Sequence, residues 1–277
     1  MQLGYSYLQV DFTQNPTLKN NLGFSDYDNQ QFSATFIHAF TERLKVNFTA
    51  AYTVFNSSNT SSEPIASSDI PLDGLFITDF SQNSTNMLYQ AGLQYAIDEK
   101  TILSLSAGLR DTETKSHFSQ FIKLSPELGK STLEKSSLSS STMGHVFLAD
   151  LTRNDEWGEL SLNAGQQLNP SSAGSQREST TFLAKGRYNI NERLTTGITA
   201  SYLMSDSVST FRNSSLSFKR TYSAITPNIR WRWTPQVSVE LSYSYRQQDY
   251  DSLDRSASSN NVLLQFSFQP QINRLVK

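Results

Sequence analysis

Residues 236–250 read QVSVELSYSYRQQDY and alternate strictly: Val237, Val239, Leu241, Tyr243 and Tyr245 fall at odd positions, Ser238, Glu240, Ser242, Ser244 and Arg246 at even ones. Successive side chains of a strand point to opposite faces, so this period of two puts an apolar medium on one face and a polar one on the other. Residues 45–56 repeat the pattern, with Val46, Phe48, Ala50, Tyr52 and Val54 opposed by Asn47, Thr49, Ala51 and Thr53. Twelve such segments follow one another, at about 2–13, 30–41, 45–56, 86–97, 101–112, 142–153, 158–168, 178–190, 193–205, 219–233, 236–249 and 259–269. Each covers about ten to thirteen residues, against about five or six for a strand of a soluble sheet and about nine to eleven for a tilted strand that crosses a bilayer. Strand length therefore selects the membrane.

Composition agrees. Of 277 residues only 37% are hydrophobic and 17% charged, too few aliphatics for a large dry core and too few charges for an ordinary soluble surface. Disorder is excluded by 12% aromatic residues with a net charge of −2. No apolar run approaches the roughly twenty residues of a spanning helix. The absence of cysteine removes disulfides, thiolate metal sites and a Cys nucleophile. Near-neutral charge gives no reason to expect nucleic acid. The opening MQLGYSYLQVDF enters the alternation at once without a leader pattern, so an exported protein is expected here as a mature form or a fragment.

The connections sort into two kinds. Short links at 41–45, 98–100, 153–157, 191–192 and 234–235 interleave with longer ones at about 14–29, 57–85, 113–141, 169–177, 206–218 and 250–258. Short turns on one rim and long loops on the other define an all-β, antiparallel, up-and-down transmembrane β-barrel of about twelve strands, with both termini on the short-turn, periplasmic side. The expected organisation is one barrel domain over residues 1–270 and a tail over 271–277. An even count is expected to close without an edge, because hydrocarbon offers no partner to an unpaired strand. Aromatic residues gather near strand ends (Tyr5, Phe40, Tyr95, Trp157, Tyr188, Trp231, Trp233), as an interfacial girdle requires.

The polar parity is expected to line a hydrated lumen. Its pore-lining candidates are Arg110, Glu159, Asn163, Gln167, Lys185, Arg187, Arg230, Glu240, Arg246 and Gln265. Cations outnumber acids in this set, which either biases a pore towards anionic solutes or supplies ion pairs that brace the wall. His38 and His145 fall on greasy parities, so either both sit near an interface or a bulge resets the register. Pro227 inside a strand predicts a bulge.

Motifs for chemistry are sparse. His145 and Ser161 form the one nameable hydrolase pair, and they are expected to face opposite sides, so no enzyme and no catalytic residue is assigned. The acid clusters Asp69, Asp73, Asp79 and Asp249, Asp251, Asp254 lack the twelve-residue pattern of a dedicated Ca²⁺ loop, so no metal and no cofactor is assigned. Loop 57–85 carries Leu75, Phe76, Ile77 and Phe80, too apolar for a solvated tip, and is expected to fold inward as a constriction. In 113–141, Phe118, Phe121 and Ile122 have helical spacing. Asn261, Phe266 and Phe268 match in part the polar residue and terminal aromatic pair of the final-strand assembly signal of outer-membrane barrels, with Leu263 at the usual glycine position.

The C-terminal run SFKRTYSAITPNIRWRWTPQVSVELSYSYRQQDYD, followed by SSNNVLLQFSF, resembles the outer-membrane β-barrels found beside exopolysaccharide and exosortase gene clusters, grouped as β-barrel porins. Carrying the likeness are the Thr226-Pro227 strand ending in Trp231, the Thr234-Pro235 turn, Tyr243, Tyr245 and Arg246 with Tyr250, and the Ser-Asn opening of the last strand. It covers about 55 residues. The resemblance implies a Gram-negative outer membrane and a role in moving or anchoring envelope polysaccharide. The expected partners are outer-membrane lipid and lipopolysaccharide, the barrel-assembly machinery, and a polysaccharide or periplasmic export component. Three functions remain open at this point: a passive channel, a structural barrel plugged by its loops or enclosing an export component or cytochrome, and a lipid hydrolase around His145.

Overall fold

The computed structural model describes residues 1–12, 25–64, 74–124, 130–170, 176–207, 219–251 and 255–269. Side chains at 61–64, 74–76, 122–124, 130–133 and 170 are outside it. The chain is all-β. Twelve antiparallel strands follow one another in a single up-and-down sheet. They are β1 Gln2–Val10, β2 Asp26–Ala39, β3 Leu44–Pro64, β4 Gly74–Ala96, β5 Thr101–Leu124, β6 Lys130–Asp155, β7 Gly158–Pro170, β8 Gln176–Asn189, β9 Leu194–Ser207, β10 Arg220–Arg232, β11 Val237–Tyr250 and β12 Arg255–Phe268. This is the fold class of bacterial outer-membrane barrels, in which each strand pairs with its sequence neighbour and side chains alternate between the two faces. No ladder joins β1 to β12 among the described residues, and both strands are exposed on both faces along almost their whole length. The closure expected of an even strand number is thus not part of the described ladders.

The short turns are built locally. Thr41 Oγ1 accepts from the Leu44 amide at 2.9 Å, Asn191 Oδ1 from the Leu194 amide at 2.8 Å, and Thr234 Oγ1 from the Val237 amide at 3.1 Å. Asp98 Oδ1 accepts from the Lys100 amide at 2.8 Å. Thr, Asn and Asp bond their own backbone two or three residues on and so reverse the chain without glycine. The pattern TERL, DEKT and NERL at 41–44, 98–101 and 191–194 is a repeat of this turn.

On the other rim the structure departs from expectation. Segments expected as loops 57–85 and 113–141 are largely strand: β3 and β4 pair from Leu44↔Tyr95 up to Pro64↔Leu75, and β5 and β6 from Thr101↔Arg153 to Lys123↔Lys130. Leu75, Phe76, Ile77 and Phe80 lie on β4 in continuous ladders with β3 and β5, so they are wall and not an inward constriction. Phe118, Phe121 and Ile122 are strand residues, not a helix. Serine and threonine stretches read as loop by composition, yet here each strand has a partner on its flank, and ladder hydrogen bonds decide the conformation over local preference. Parts of the other expected loops, and the tail 271–277, lie outside the described residues.

Register sorts the faces. One row runs Leu93, Leu105, Ala149, Ala164, Phe182, Tyr202 across β4 to β9, and the next runs Leu103, Leu151, Leu162, Ala184, Ala200, Ile225 across β5 to β10. On β5 this apolar face spans Leu103, Leu105, Ala107 and Leu109 and then changes to Asp111, Glu113 and Lys115 on the same side. The apolar band is therefore bounded above, and Trp157, Tyr188, Trp231 and Trp233 bound it below, with Trp231 stacked on Trp233 at 6.1 Å and Trp157 at 5.8 Å from Tyr188. Both histidines of the greasy parity stay in register. His38 is the penultimate residue of β2 beside the short turn, edge-on to Phe40 at 4.7 Å, and His145 pairs Leu109 one row below the Asp111 row. They sit near the two borders of the band, and no bulge is involved. Pro227 also leaves the register unshifted: it pairs with Ile198 of β9, and only the Thr226 and Pro227 pairs with β11 drop out. The described β5·β6 ladder shifts instead between Gln120 and Phe121.

At the lower rim an ion cluster ties the β4–β5 turn to the β6–β7 turn. Lys100 Nζ lies 2.7 Å from Asp155 Oδ1, and Arg153 donates to Asp155 at 2.7 Å and to Asp98 at 3.4 Å. The backbone hydrogen bond from Lys100 holds the Asp98 carboxyl below its ordinary value, and the hydrogen bond to Asp155 raises Lys100. A depressed carboxylate stabilises above its unfolded pKa and loses the effect as pH falls through the folded one; a raised lysine stabilises below its unfolded pKa and loses the effect as pH rises through the folded one. In urea unfolding of the protein in detergent this exposed cluster is therefore expected to add a small stabilisation between about pH 4 and about pH 10, with its alkaline loss absent in Lys100→Gln and its acid loss reduced in Asp98→Asn.

Candidate functional site

The ten polar residues singled out above share one face. The row Gln94, Ser104, Asp150, Asn163, Leu183, Ser201, Ala224, Arg246 crosses β4 to β11, and parity along each strand then places Arg110, Glu159, Gln167, Lys185, Arg187, Arg230, Glu240 and Gln265 on the same side. This is the inner, concave face: its Ser84, Arg110, Thr112, Ser205 and Ser244 are buried, whereas Leu105, Leu109, Phe182 and Leu241 of the other face are exposed, and residues of β2 through β8 on it line a cavity of about 470 Å³. Amides dominate its lining, among them Asn29, Gln31, Asn86, Gln90, Asn163 and Gln167.

Charge on this face is largely paired. Arg187 lies 3.3 Å from Glu159, Arg230 lies 2.6 Å from Glu240, and Asn228 donates to the same Glu240 at 3.0 Å. Arg187 and Glu159 are directly opposed across β7·β8, as are Arg230 and Glu240 across β10·β11, the geometry in which opposite charges attract between strands. Of the two readings of the excess cations, bracing pairs account for these two and for Arg110.

Arg110 is the centre of a buried polar cluster that sequence alone did not reveal. Its side chain is 5% exposed; Nη2 meets Glu178 Oε2 at 2.7 Å and Nε donates to Thr112 Oγ1 at 3.2 Å. Thr112 donates in turn to Asn86 Oδ1 at 2.7 Å, Asn86 donates to Gln176 Oε1 at 3.2 Å, and Gln166 donates to Glu178. The guanidinium reaches Glu178 by lying over Gly144 of β6, where a Cβ would stand 2.5 Å from Nη2 and 3.1 Å from Cζ. Glycine leaves room there for a passing side chain and is not needed for its backbone freedom; a methyl group would displace the guanidinium from its present position.

The partners of this cluster come from opposite faces. Arg110, Thr112 and Asn86 are on the concave face of β4 and β5, whereas Gln166, Gln176 and Glu178 share parity with Ala164 and Phe182 on the convex face of β7 and β8. Such a contact needs the ends of β7 and β8 to lie inside the upper wall, convex side against its concave side. The ladders show how. β6 and β7 pair from Asp155↔Gly158 only to Phe147↔Gln166, and above that point β6 continues to Lys130 and β7 to Pro170 with no pairing between them. The wall is split there into an outer lip, β4 to β6, and an inner lip, β7 and β8, lapped together by the Arg110 cluster.

The hydrolase pair is not assembled. His145 is on the convex face above the β6·β7 ladder, and Ser161 is on the concave face opposite Thr152, seven residues along β6. No group of metal-ligating side chains exists among the described residues, and Asp69, Asp73 and Asp254 lie outside them. Phe266 and Phe268 are on the convex face of β12 and Asn261 on its concave face.

No family model and no curated protein sequence matches the chain. Solved structures show a distant likeness: a FadL homologue of Pseudomonas aeruginosa, 12% identical over 95% of this chain and 72% of that one with TM-score 0.44; the CymD monoaromatic hydrocarbon channel, 10% identical over 88% and 74% with TM-score 0.42; and OmpT, an outer membrane protein of Vibrio cholerae, 8% identical over 96% and 95% with TM-score 0.35. Against the RagAB peptide importer the chain spans 36% of the other's length. At these scores no ligand or pore property passes from those proteins to this chain.

Replacing Glu178 by Gln leaves a buried guanidinium without its anion and is expected to lower unfolding stability by about 1–3 kcal/mol. Gly144→Ala displaces the same guanidinium and is expected to cost a similar amount. Urea titrations of both single variants and the double variant check this: the two effects are expected to fall well short of additive, because each breaks the same contact.

Proposed function

We propose that this protein is an outer-membrane channel whose amide-rich concave face passes hydrated solute. The observation that carries the reading is the register. It sets an apolar band, with aromatic residues at its lower border, on one face of every spanning strand and a polar face behind it, a division that serves hydrocarbon outside and water inside. Within that reading, the resemblance of residues 217–251 and 258–268 to barrels of exopolysaccharide gene clusters supports a polysaccharide chain as the solute, with Ser, Thr, Asn and Gln replacing water around sugar hydroxyls. The same resemblance supports lipopolysaccharide, the assembly machinery and a periplasmic export component as partners, and Asn261, Phe266 and Phe268 as the assembly signal. Because Arg110, Arg187 and Arg230 are matched by Glu178, Glu159 and Glu240, the pore is expected to discriminate weakly by charge.

A second reading is a barrel obstructed by its own wall, and the inward lap of β7 and β8 favours it. Planar-bilayer recording separates the two: the channel reading expects stepwise conductance with weak ion selectivity, and a permanently obstructed barrel gives none. The membrane assignment has its own check. Leu105→Arg puts a cation in the middle of the apolar band and is expected to cost about 2–4 kcal/mol of stability in lipid vesicles, while Ser106→Arg, one residue along and facing the lumen, is expected to cost far less. Equal costs would contradict the assignment of faces.

A further inference from the structure

We infer that the split between β6 and β7 is a two-state seam, and that the lapped form is its narrow state. The second state is specified by the chain itself. Continuing the register of Phe147↔Gln166 by three residues pairs Gln167 with Val146, Leu168 with His145 and Asn169 with Gly144, and Pro170 then ends the ladder because it has no amide hydrogen to give. On β6 the facing residues 144–146 are strand and have no ladder partner on that side among the described residues. A long unpaired edge is a standing template for another strand, and the nearest strand of matching direction is the end of β7.

The two states exclude each other. In the zipped state β8 stands three strand spacings from β5, about 14 Å, and Glu178 turns to the outside of the wall. In the lapped state Arg110 Nη2 and Glu178 Oε2 are 2.7 Å apart on the inside. Each state satisfies something the other leaves open. Lapping gives the Arg110 cation its anion but strands its Nη1, which is buried without a hydrogen-bond partner, and leaves the β6 and β7 edges unpaired. Zipping restores the ladder and releases Arg110 into the lumen. Interactions of comparable size on both sides are what make an element bistable. Lapping also draws β8 onto β5 and β4 and so reduces the circumference of the upper mouth; zipping widens it.

This inference rests on the channel reading only for its consequence in conductance. The whole chain lacks cysteine, so paired cysteines report without background. Asn86→Cys with Gln176→Cys fixes the lapped state through a short bifunctional thiosulfonate, since the native side chains are in hydrogen-bond contact. His145→Cys with Leu168→Cys captures only the zipped state. Arg110→Ala and Glu178→Gln are expected to raise cross-linking of the second pair in vesicles by about ten- to a hundredfold, the worth of a hydrogen bond to a charged group. In planar bilayers the first cross-link is expected to lower conductance and the second to raise it, each reversed by reductant. If the second pair never cross-links in the Arg110→Ala background while the first cross-links fully, the seam is static and the inference falls. If cross-linking switches as expected but no form conducts, the seam stands and the channel reading falls.

Discussion

Hydrocarbon cannot hydrogen-bond. A chain that enters it must pair every backbone amide and carbonyl within itself, and without an apolar run long enough for a helix the remaining solution is a sheet of neighbouring antiparallel strands. The ladders from β1 to β12 follow from that constraint; the outer edges of β1 and β12 and the upper β6–β7 seam are where the described ladders stop. Strands of nine residues or more join their sequence neighbours through β1 to β12, and Thr, Asn and Asp side chains reverse the chain at one rim without extra length. Alternation then decides chemistry. Leu105 and Ser106 differ in medium because they differ in parity, and the same holds for Leu241 and Ser242.

Inside the sheet the polar face handles its charges in two ways. Arg187–Glu159 and Arg230–Glu240 are direct cross-strand pairs that stay partly exposed, so they brace more than they bury. Arg110–Glu178 is different: it joins β5 to β8 over a glycine, through a region where the wall has parted. Only the arginine is buried and Glu178 is partly exposed; such a pair is weak as a source of net stability but strong as a specifier of arrangement, since removing the anion strands a buried guanidinium. Here the arrangement it specifies is the lap of one lip of the wall inside the other.

Most of the fold was legible in the sequence, and the boundary of legibility is physical. Period two in QVSVELSYSY fixes parity, and parity alone placed Arg110, Asn163, Lys185, Glu240 and Gln265 on one face across eight strands. The extensions of β3 to β6 were not legible, because serine-rich segments such as Ser136–Thr142 carry no hydrophobic alternation and become strand only by pairing with β5. Phe76 and Phe80 read as an inward loop for the same reason: their apolar character is plain, their neighbours are not. The TERL, DEKT and NERL repeat was a readable turn signal and would have set those strand starts to the residue. The Arg110 cluster had one readable trace, the lone Gly144 in a strand, but Glu178 lies on the opposite parity, and no pattern local to β8 shows that its end turns inward. Contacts across a split wall are tertiary, and sequence periodicity is silent on them.

The division of media between the two faces is tested most directly by cysteine scanning along β5 in lipid vesicles, with single substitutions from Leu103 to Leu109 and a water-soluble maleimide as probe. Labelling is expected to alternate, fast at Ser104 and Ser106 and slow at Leu103, Leu105, Ala107 and Leu109; Gly108 is left as glycine, because a Cβ there would run into the Tyr89 carbonyl. Uniform labelling along the strand, or the reverse alternation, would contradict the account.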